Sequence, residues 1–359
     1  MKITTIVPRL PPAIDGLGDY ASILAKRILQ DYLLNSEFIV GDPSWSGEKL
    51  FADFPARKVQ KRSPDSLLEL LPCLSADKNI VLLHYVGYGY AKRGCPVWLV
   101  NGLEKWYRQT PNSHLITIFH EVYAYGPIWN SQFWTSPLQR SLATRLINLS
   151  DQYTTSNRIF AQRISKLIGG KDKQISINPV FSNVGEPDHL NELSERKRQL
   201  VIFGGVAWRR RAYYQSRSLL EETCIQLEIE EILDIGAPLD LEINSVAGVA
   251  INFLGKRSPE EISHFLSDAL VGFLCYPNQF LAKSGVFAAY CAHRLLPVCV
   301  SERGENEDGL EAGKNYYLLD TAQTTFNISL QQVIADNAHN WYQQHSVKVQ
   351  AHNLYQKLY

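Results

Sequence analysis

The chain has 359 residues, which is too long for one ordinary hydrophobic core and suits two domains. Its hydrophobic fraction of 45% and its charged fraction of 20% are typical of a soluble globular protein. Its formal net charge is +0, so the charge balance gives no reason to expect a nucleic acid or an anionic membrane as a partner.

Cysteine usage and hydropathy indicate a cytoplasmic protein. The six Cys form no Cys-x-x-Cys pair, and three of them lie in apolar runs, as buried free thiols do in a reducing compartment. The first apolar run is short and ends at Pro8, which is typical of a strand rather than of a signal peptide. No stretch is long and apolar enough to span a bilayer.

The predicted first strand, 2–7, is followed by a loop that contains glycines and then by an amphipathic helix. Gly16 and Gly18 in this loop would allow the backbone to approach an anionic ligand closely. Asp15 and Asp19 would repel an anion, although Asp19 can cap the helix. A tight turn without a ligand explains the glycines about equally well, because the full dinucleotide-binding fingerprint is absent.

Two later buried strands, 79–85 and 114–119, each bring a histidine to their carboxyl end. The first contains His84 and leads into a loop rich in Tyr and Gly, and the second leads into His120 and Glu121. Ligands of open parallel sheets bind beyond the carboxyl ends of the strands. Either histidine alone is more often structural, but two at one edge favour a functional site. Metal binding is the weaker alternative, because no His-x-x-x-His or Cys spacing accompanies them.

A polar segment, 182–198, is the best candidate for a linker between two domains. The strand pattern restarts at 199–203, which ends in Gly-Gly and is followed by three arginines at 209–211. Three cations at the carboxyl end of a strand suit phosphate oxygens, whereas a solvated charged face is the ordinary alternative. Ser258 and Glu261 predict a capping box at the start of a helix. Further strands are predicted at 231–236, 249–255, 270–276 and 296–300.

A strand, a loop and a helix surround Lys283. The strand at 270–276 is followed by Lys283, Ser284 and Gly285, and then by an apolar run that predicts a buried helix. The first turn of a helix has unpaired backbone N–H groups and the positive end of the helix dipole, so this arrangement predicts a phosphate receptor. The alternative is that Ser284 is only an N-cap and that Lys283 is only a solvated charge.

The alternation of strands and helices predicts an α/β fold. It consists of two doubly wound, Rossmann-like sheets that face each other across a cleft. The predicted domains are 1–182 and 183–339, with a terminal helix at 340–359 that packs back on the first domain.

Five motifs occur along the chain in a recognisable order. They are Asp15-Gly-Leu-Gly-Asp-Tyr20, Phe119-His-Glu-Val-Tyr123, Val201-Ile-Phe-Gly-Gly205, Phe253-Leu-Gly255 before a Pro-Glu-Glu helix, and Lys283-Ser-Gly285 before Leu296-Pro-Val298. No single motif is highly specific, but their order and spacing resemble those of a GT-B fold glycosyltransferase of the family-4 kind. The resemblance covers most of the chain. It implies a retaining enzyme that depends on a nucleotide sugar.

The resemblance implies that the second domain binds most of a nucleoside-diphosphate sugar donor. The backbone amides of Ser284, Gly285 and Val286 would hold the diphosphate. The first-domain residues that would close on the donor are Gly16, Leu17 and Gly18, and the cations that would neutralise the diphosphate are Arg209, Arg210, Arg211 and Lys283.

The resemblance also assigns the catalytic and acceptor sides of the site. His120, with Glu121 beside it, would lie near the donor sugar. His84, Tyr85 and Tyr88 would face the acceptor, whose hydroxyl receives the sugar. Because charge builds on the leaving diphosphate, amides and cations supply the stabilisation that this transfer needs.

The expected ligands are a nucleotide-sugar donor and a carbohydrate or lipid-linked acceptor. No metal or other cofactor is expected, in line with the lack of an Asp-x-Asp motif in a plausible loop. No nucleic-acid partner is expected. A basic face on the first domain is either a peripheral membrane contact or a solvated surface, and its residues are Lys92, Arg93, Lys105 and Arg108.

The chain departs from the family at two glutamates, which the family carries around the phosphate loop with seven residues between them. The corresponding positions here are Leu281 or Ala282 and Ala289 or Tyr290, and none is acidic. Three functions therefore compete: a glycosyltransferase that holds its donor differently, a non-catalytic sugar- or partner-binding protein, and a nucleotide-sugar epimerase with Glu121 as its acid. The retained His, Gly and cation positions favour the first function, and the missing glutamates favour the second.

Overall fold

The computed structural model describes residues 2–13, 16–73, 78–124, 126, 129–169, 175–300, 308–317 and 328–358. Its internal contacts divide the chain into two units. The first unit contains Met1–Pro179 together with Val347–Tyr359, and the second unit contains Val180–Ser346.

The first unit is built on an eight-stranded sheet in the order β3-β4-β2-β1-β5-β6-β7-β8. All neighbouring strands are parallel except β3 and β4, which form an antiparallel pair. From β1 the chain first adds strands on one side and then crosses to β5 on the other, so the crevice between the carboxyl ends of β1 and β5 is a topological switch point. The strands are β1 Lys2–Val7, β2 Asn35–Val40, β3 Leu50–Phe51, β4 Phe54–Lys58, β5 Asn79–Tyr85, β6 Ser113–Phe119, β7 Gln152–Thr155 and β8 Ser176–Ile177.

Helices cover the first sheet, as the continuous burial of β5 requires. The last helix of the chain, Val347–Gln356, also belongs to this unit and packs against the first helix, where the rings of Tyr32 and Tyr355 stack at 4.0 Å. The other helices are α1 Gly16–Tyr32, α2 Pro64–Leu68, α3 Gly87–Tyr90, α4 Val97–Gln109, α5 Ser131–Leu149 and α6 Arg158–Leu167.

The second unit is built on a six-stranded sheet in the order β11-β12-β10-β9-β13-β14. Its switch point lies between β9 and β13, because the chain leaves β9 on one side and returns to β13 on the other. The strands are β9 Lys197–Phe203, β10 Glu231–Ile235, β11 Ser245–Val246, β12 Val249–Gly255, β13 Ala269–Leu274 and β14 Leu296–Cys299. The helices are α7 Val206–Tyr214, α8 Arg217–Gln226, α9 Pro259–Asp268, α10 Gly285–Ala292 and α11 Ile328–Gln343, and α12 is the last helix, Val347–Gln356.

Local signals in the sequence had mixed outcomes. The capping box is confirmed: the Ser258 hydroxyl accepts a hydrogen bond from the Glu261 amide at 3.2 Å, and the Glu261 carboxylate accepts one from the Ser258 amide at 2.8 Å. The cap predicted at Asp19 is wrong, because α1 begins at Gly16 and Asp19 lies inside its first turn. The single terminal helix is also wrong: the chain forms α11 and α12, which are separated where it passes from the second unit back to the first.

Three buried histidines are held neutral: His84 in the first unit, and His293 and His345 in the second. Burial lowers the pKa of His84 to about 3, that of His293 to about 4 and that of His345 to about 3. His293 shows how the neutral form is accommodated. Its Nδ1–H donates to the carbonyl of Ala289 at 2.8 Å, and its Nε2 accepts from the hydroxyl of Ser263 at 2.7 Å.

Acid is therefore expected to destabilise the protein well above the range in which carboxylates titrate. An unfolded histidine titrates near pH 6.5, so below that pH the unfolded state binds more protons and stability falls as the pH falls. Lowering the pH from about 7.5 to about 5.5 should remove about 1.4 kcal/mol of unfolding free energy per buried histidine, and twice that from the second unit. Urea unfolding at both pH values measures the loss. The variant His345→Gln should halve it in the second unit, and equal stability at both pH values would contradict the assignment.

Candidate functional site

The carboxyl ends of β5 and β6 bring two histidine rings together in the first unit. Nδ1 of His84 and Nε2 of His120 are 3.1 Å apart, and the two rings stack with centroids 5.3 Å apart and an angle of 16° between their planes. Tyr20 of α1 packs edge-on against both rings, at 5.8 Å from His84 and 5.2 Å from His120. His120 is partly exposed, whereas His84 is fully buried. The prediction that both histidines reach one edge of the sheet is confirmed.

The hydrogen bond between the histidines decides what His120 presents to a ligand. His84 is neutral because burial lowers its pKa to about 3, so it carries one N–H. Its Nε2 has no hydrogen-bond partner among the described residues. Since a buried N–H is more rarely left unpaired than a buried acceptor, we assign the proton to Nδ1, which donates to Nε2 of His120. His120 then carries its own proton on Nδ1.

The acceptor-side residues predicted from the sequence lie at different depths. His84 and Tyr85 are both 0% exposed, so direct contact of these side chains with an acceptor is contradicted. The reason is that β5 is an interior strand with both of its faces covered, so residues at its end stay beneath the surface. Tyr88 is 39% exposed, and its hydroxyl accepts a hydrogen bond from Nε2 of Gln139 at 3.3 Å. Of the three, only Tyr88 lies at the surface.

The glycines at the start of α1 differ from each other. A Cβ at Gly18 would lie 2.7 Å from the backbone oxygen of Arg9, so close packing of the chain requires glycine there. Among the described residues, a Cβ at Gly16 would meet nothing within 4 Å, whereas Leu17 packs against the core of the first unit. Asp15, which begins this motif, lies outside the described residues.

In the second unit, the switch point between β9 and β13 is lined by the start of α10. Ser284 is the N-cap, and its hydroxyl accepts a hydrogen bond from the amide of Phe287 at 3.2 Å. The amides of Gly285 and Val286 are in the first turn, where a helix offers no backbone acceptor. Gly204, at the end of β9 with a φ of +115°, approaches Val286 so closely that a Cβ there would lie 3.0 Å from its side chain. The first turn of α10, which contains these two amides, therefore lies next to the end of β9.

The three arginines lie on helix α7, so they point in different directions. Arg209 is 1% exposed and donates to the Asp234 carboxylate, to the carbonyl of Gly204 at 3.0 Å, and to the carbonyl of Ala237. The diphosphate-binding role predicted for Arg209 is contradicted, because its guanidinium is already enclosed by these acceptors. Arg210 and Arg211 are exposed and remain candidates.

Aromatic rings adjoin the exposed end of α7. The Arg211 guanidinium lies 4.5 Å from the ring centroid of Trp208, and the rings of Trp208 and Tyr276 are 4.5 Å apart. Tyr276 follows β13, so this cluster lies at the same carboxyl edge of the sheet as Ser284. A flat group bound beside the α10 amides would find aromatic surface and a cation at this edge.

Lys283 lies at this carboxyl edge of the second sheet. It is the last residue of a 3₁₀ turn, Asn278–Lys283, and directly precedes the N-cap Ser284. Its side chain is partly exposed. The sequence therefore places a cation two residues before Gly285, the first of the two amides in the opening turn of α10.

The positions at which the family carries glutamates are part of the core. Leu281, Ala282, Ala289 and Tyr290 are each at most 1% exposed. Tyr290 lies across Gly272, where a Cβ would be 2.4 Å from the ring, and its hydroxyl donates to backbone carbonyls of β9 and β13. A carboxylate would be buried at any of these positions, so their apolar character fits this local packing.

Sequence reasoning missed two residues that organise these sites. Tyr20 holds the histidine pair from the side, and its only signal was its place four residues after Gly16 on the same helix face. Asp234 holds Arg209, and its signal was an acidic residue inside the apolar strand β10. A charge in a buried strand predicts a buried counter-ion.

Within the described ranges, no cluster of three or more His, Cys, Asp or Glu side chains has the arrangement of a metal site. No helix in the same ranges is long and apolar enough to cross a membrane.

No protein-family model and no curated protein sequence matches this chain. Solved structures do. An α-glucosyltransferase in complex with UDP and a 13-mer DNA containing an HMU base aligns with a TM-score of 0.60 at 10% identity, over 99% of this chain and 98% of its own. A lipopolysaccharide outer core galactosyltransferase aligns at 0.56 and 12% identity over 100% and 99%. The pneumococcal O-GlcNAc transferase in complex with UDP and GlcNAc aligns at 0.53 and 11% identity over 99% and 95%.

These alignments extend over nearly the whole chain, and they show its fold to be GT-B, with two Rossmann-like units. The fold predicted from the sequence is confirmed. The first of these structures contains DNA, so the comparisons do not support the expectation that nucleic acids are excluded as partners.

Proposed function

We propose that the protein is a glycosyltransferase that moves a sugar from a nucleoside-diphosphate sugar to an acceptor hydroxyl, with retention of configuration. The observation that carries this proposal is the arrangement around the start of α10. The amides of Gly285 and Val286 lie in the first turn of α10, next to the end of β9 at the switch point of a sheet, and Lys283 precedes them at the end of a 3₁₀ turn. Helix N-terminal amides together with a cation stabilise the charge that develops on a leaving diphosphate.

Other residues of the second unit support the proposal that a nucleotide binds there. Arg210 and Arg211 are the exposed cations of α7, and the rings of Trp208 and Tyr276 offer a surface on which a nucleobase can stack. The nucleotide-bound neighbours contain UDP, which makes uridine the first base to test. No resident metal is proposed, because amides and cations supply the positive charge.

His120 is the proposed polar contact to the donor sugar. Its Nε2 is held by the buried His84, and the partly exposed ring lies at the carboxyl edge of the first sheet. Glu121 follows it and is partly exposed. A neutral histidine that donates one hydrogen bond can orient a sugar oxygen without adding a charge.

A non-catalytic sugar-binding protein is the second candidate. The observation that favours it is the apolar, buried character of Leu281, Ala282, Ala289 and Tyr290, which leaves no carboxylate at the positions that carry one in the family. Such a protein would bind a sugar or nucleotide and turn over nothing. Product analysis separates the two candidates.

Nucleotide binding is expected to depend on Lys283. UDP bound only to the folded state raises the melting temperature, by several degrees at about 100 times its dissociation constant. The variant Lys283→Ala should lose most of this shift, because it removes the cation beside the α10 amides. A fluorescence-monitored thermal scan with UDP, GDP and ADP, each with and without EDTA, makes the measurement and tests the absence of a metal.

The matched control is Lys197→Ala, since Lys197 is exposed at the amino end of β9, on the opposite edge of the same sheet. It should keep the full shift. If no nucleotide stabilises the wild type at millimolar concentration, the donor-site proposal fails and the non-catalytic candidate takes its place. If a nucleotide binds but no sugar is transferred to any acceptor, binding stands and the transferase activity fails.

A further inference from the structure

Four large apolar side chains protrude from the start of α5 in the first unit. Trp129 is 86% exposed, Trp134 is 70%, Leu138 is 47% and Phe133 is 43%. These four residues are here named the aromatic face. Two tryptophans at this exposure, with a phenylalanine and a leucine beside them, form an apolar patch of the kind that marks an interaction site.

Trp129 precedes α5, and helix geometry places the other three side chains on one side of this helix. At 100° per residue, Phe133, Trp134 and Leu138 fall within an arc of about 140°, and the exposed Pro137 falls between them. Arg140 is seven residues after Phe133 and lies at the edge of the same arc. The opposite side of the helix is buried, with Gln139 only 2% exposed.

Cations lie on α5 and on a loop that is hydrogen-bonded to this helix. The exposed Arg140 lies on the helix itself, and the exposed Lys92 and Arg93 are held beside it, because Nε2 of Gln139 donates to the carbonyl of Arg93 at 2.8 Å. The sequence stretches 86–103 and 122–150, from which these residues come, contain no Asp or Glu. The neutral charge of the whole chain therefore conceals a local surface that is apolar and positive.

We propose that the aromatic face, with Lys92, Arg93 and Arg140, binds the surface of an anionic lipid bilayer. Tryptophan and phenylalanine partition into the interface between headgroups and acyl chains, and nearby Lys and Arg are attracted to anionic headgroups. With no membrane-spanning helix in the described ranges, the contact is peripheral. The proposal does not rest on the proposed transferase activity, and its test uses neither donor nor acceptor.

Charge argues against the other occupants of this surface. A symmetric dimer through the aromatic face would bring the positive surface of one copy close to that of the other, and these stretches supply no carboxylate to pair with it. A nucleic acid would find only three cations here, and the aliphatic Leu138 and Pro137 offer neither stacking nor hydrogen bonds to bases.

The test is flotation of the full chain with vesicles of phosphatidylcholine alone and of phosphatidylcholine with one-third phosphatidylglycerol. The wild type should bind the anionic vesicles, bind the zwitterionic ones far more weakly, and shift its tryptophan emission to shorter wavelength on binding. The double variant Trp129→Ala, Trp134→Ala should bind at least about tenfold more weakly. The triple variant Lys92→Gln, Arg93→Gln, Arg140→Gln should lose about fivefold per cation at low ionic strength.

The controls change comparable exposed residues elsewhere. Ile225→Ala removes an apolar side chain that is 68% exposed in the second unit, and Lys26→Gln with Lys348→Gln removes two exposed cations from the first unit. Neither the Ile225→Ala variant nor the double lysine variant should change vesicle binding. Because every substitution is at the surface, melting temperatures should stay within about a degree or two of wild type, so lost binding is not lost folding.

Three results would overturn the proposal. One is the absence of binding to anionic vesicles at low ionic strength. Another is binding that the double tryptophan variant retains in full. The third is that the same variant abolishes self-association in sedimentation, or binding of single-stranded DNA, while vesicles are not bound; the aromatic face then belongs to a second copy or to a nucleic acid.

Discussion

Replacing His120 with asparagine is expected to lower the turnover of sugar transfer by about 100-fold or more, while the nucleotide-induced thermal shift is retained. The ring lies at the carboxyl edge of the first sheet, and the nucleotide is proposed to bind at the second. A hydrogen bond that strengthens as charge develops is lost from turnover rather than from nucleotide affinity. Initial rates and the thermal scan, measured on the same preparation, separate the two effects.

His114 provides the control for this prediction. It stands at the amino end of the same strand, β6, where its Nε2 hydrogen-bonds the carbonyl of Lys357 at 3.0 Å. The variant His114→Asn should keep turnover within about threefold of wild type. Turnover of His120→Asn at the wild-type rate would show that the histidine pair has no part in catalysis.

Replacing Arg209 with methionine is expected to lower the unfolding free energy of the second unit by about 3–5 kcal/mol. Arg209 and Asp234 are 1% and 2% exposed, so the variant would leave a carboxylate in the core without its counter-ion. Burial raises the pKa of Asp234, and the guanidinium and the Tyr213 hydroxyl act against that rise. Urea unfolding, followed by a probe in the second unit, measures the loss.

The adjacent Arg210 is the matched control. It is exposed, and Arg210→Met should change stability by no more than about 0.5 kcal/mol. Adding Asp234→Asn to Arg209→Met should recover part of the loss, because the unpaired charge is then gone. Equal, small losses for Arg209→Met and Arg210→Met would contradict a structural ion pair. A normal stability with lost nucleotide binding would return Arg209 to the donor site.

The alternation of strands and helices was sufficient to predict two Rossmann-like sheets, and the order of the motifs supplied the resemblance to the GT-B fold. The buried run Asn79–Tyr85 has the bounds that its apolar residues predict, because parallel strands covered on both faces are continuously apolar. The same logic placed His84 and His120 together, since neighbouring parallel strands end at one edge. Strand order along the chain thus carries information about which residues meet.

The burial of a side chain, and the direction in which it points from a helix, could not be predicted from the order of strands and helices. Three consecutive arginines look equivalent in sequence, but on a helix successive residues are turned by 100°, and only Arg209 faces the sheet. His84 and His120 look equivalent too, yet one lies within a strand and the other follows one, so one is buried and the other partly exposed. The two short strands Leu50–Phe51 and Phe54–Lys58 have little apolar pattern of their own and depend on their neighbours.

The return of α12 to the first unit determines when that unit can be finished during synthesis. The hydroxyl of Tyr20, the residue that packs on both histidines, donates to Oε1 of Gln350 on this last helix. Residues 1–179 leave the ribosome long before Gln350 does, and the whole second unit is translated in between. The nascent first unit must therefore wait with this edge incomplete, and its histidine pair receives its full support only after the whole second unit has been translated.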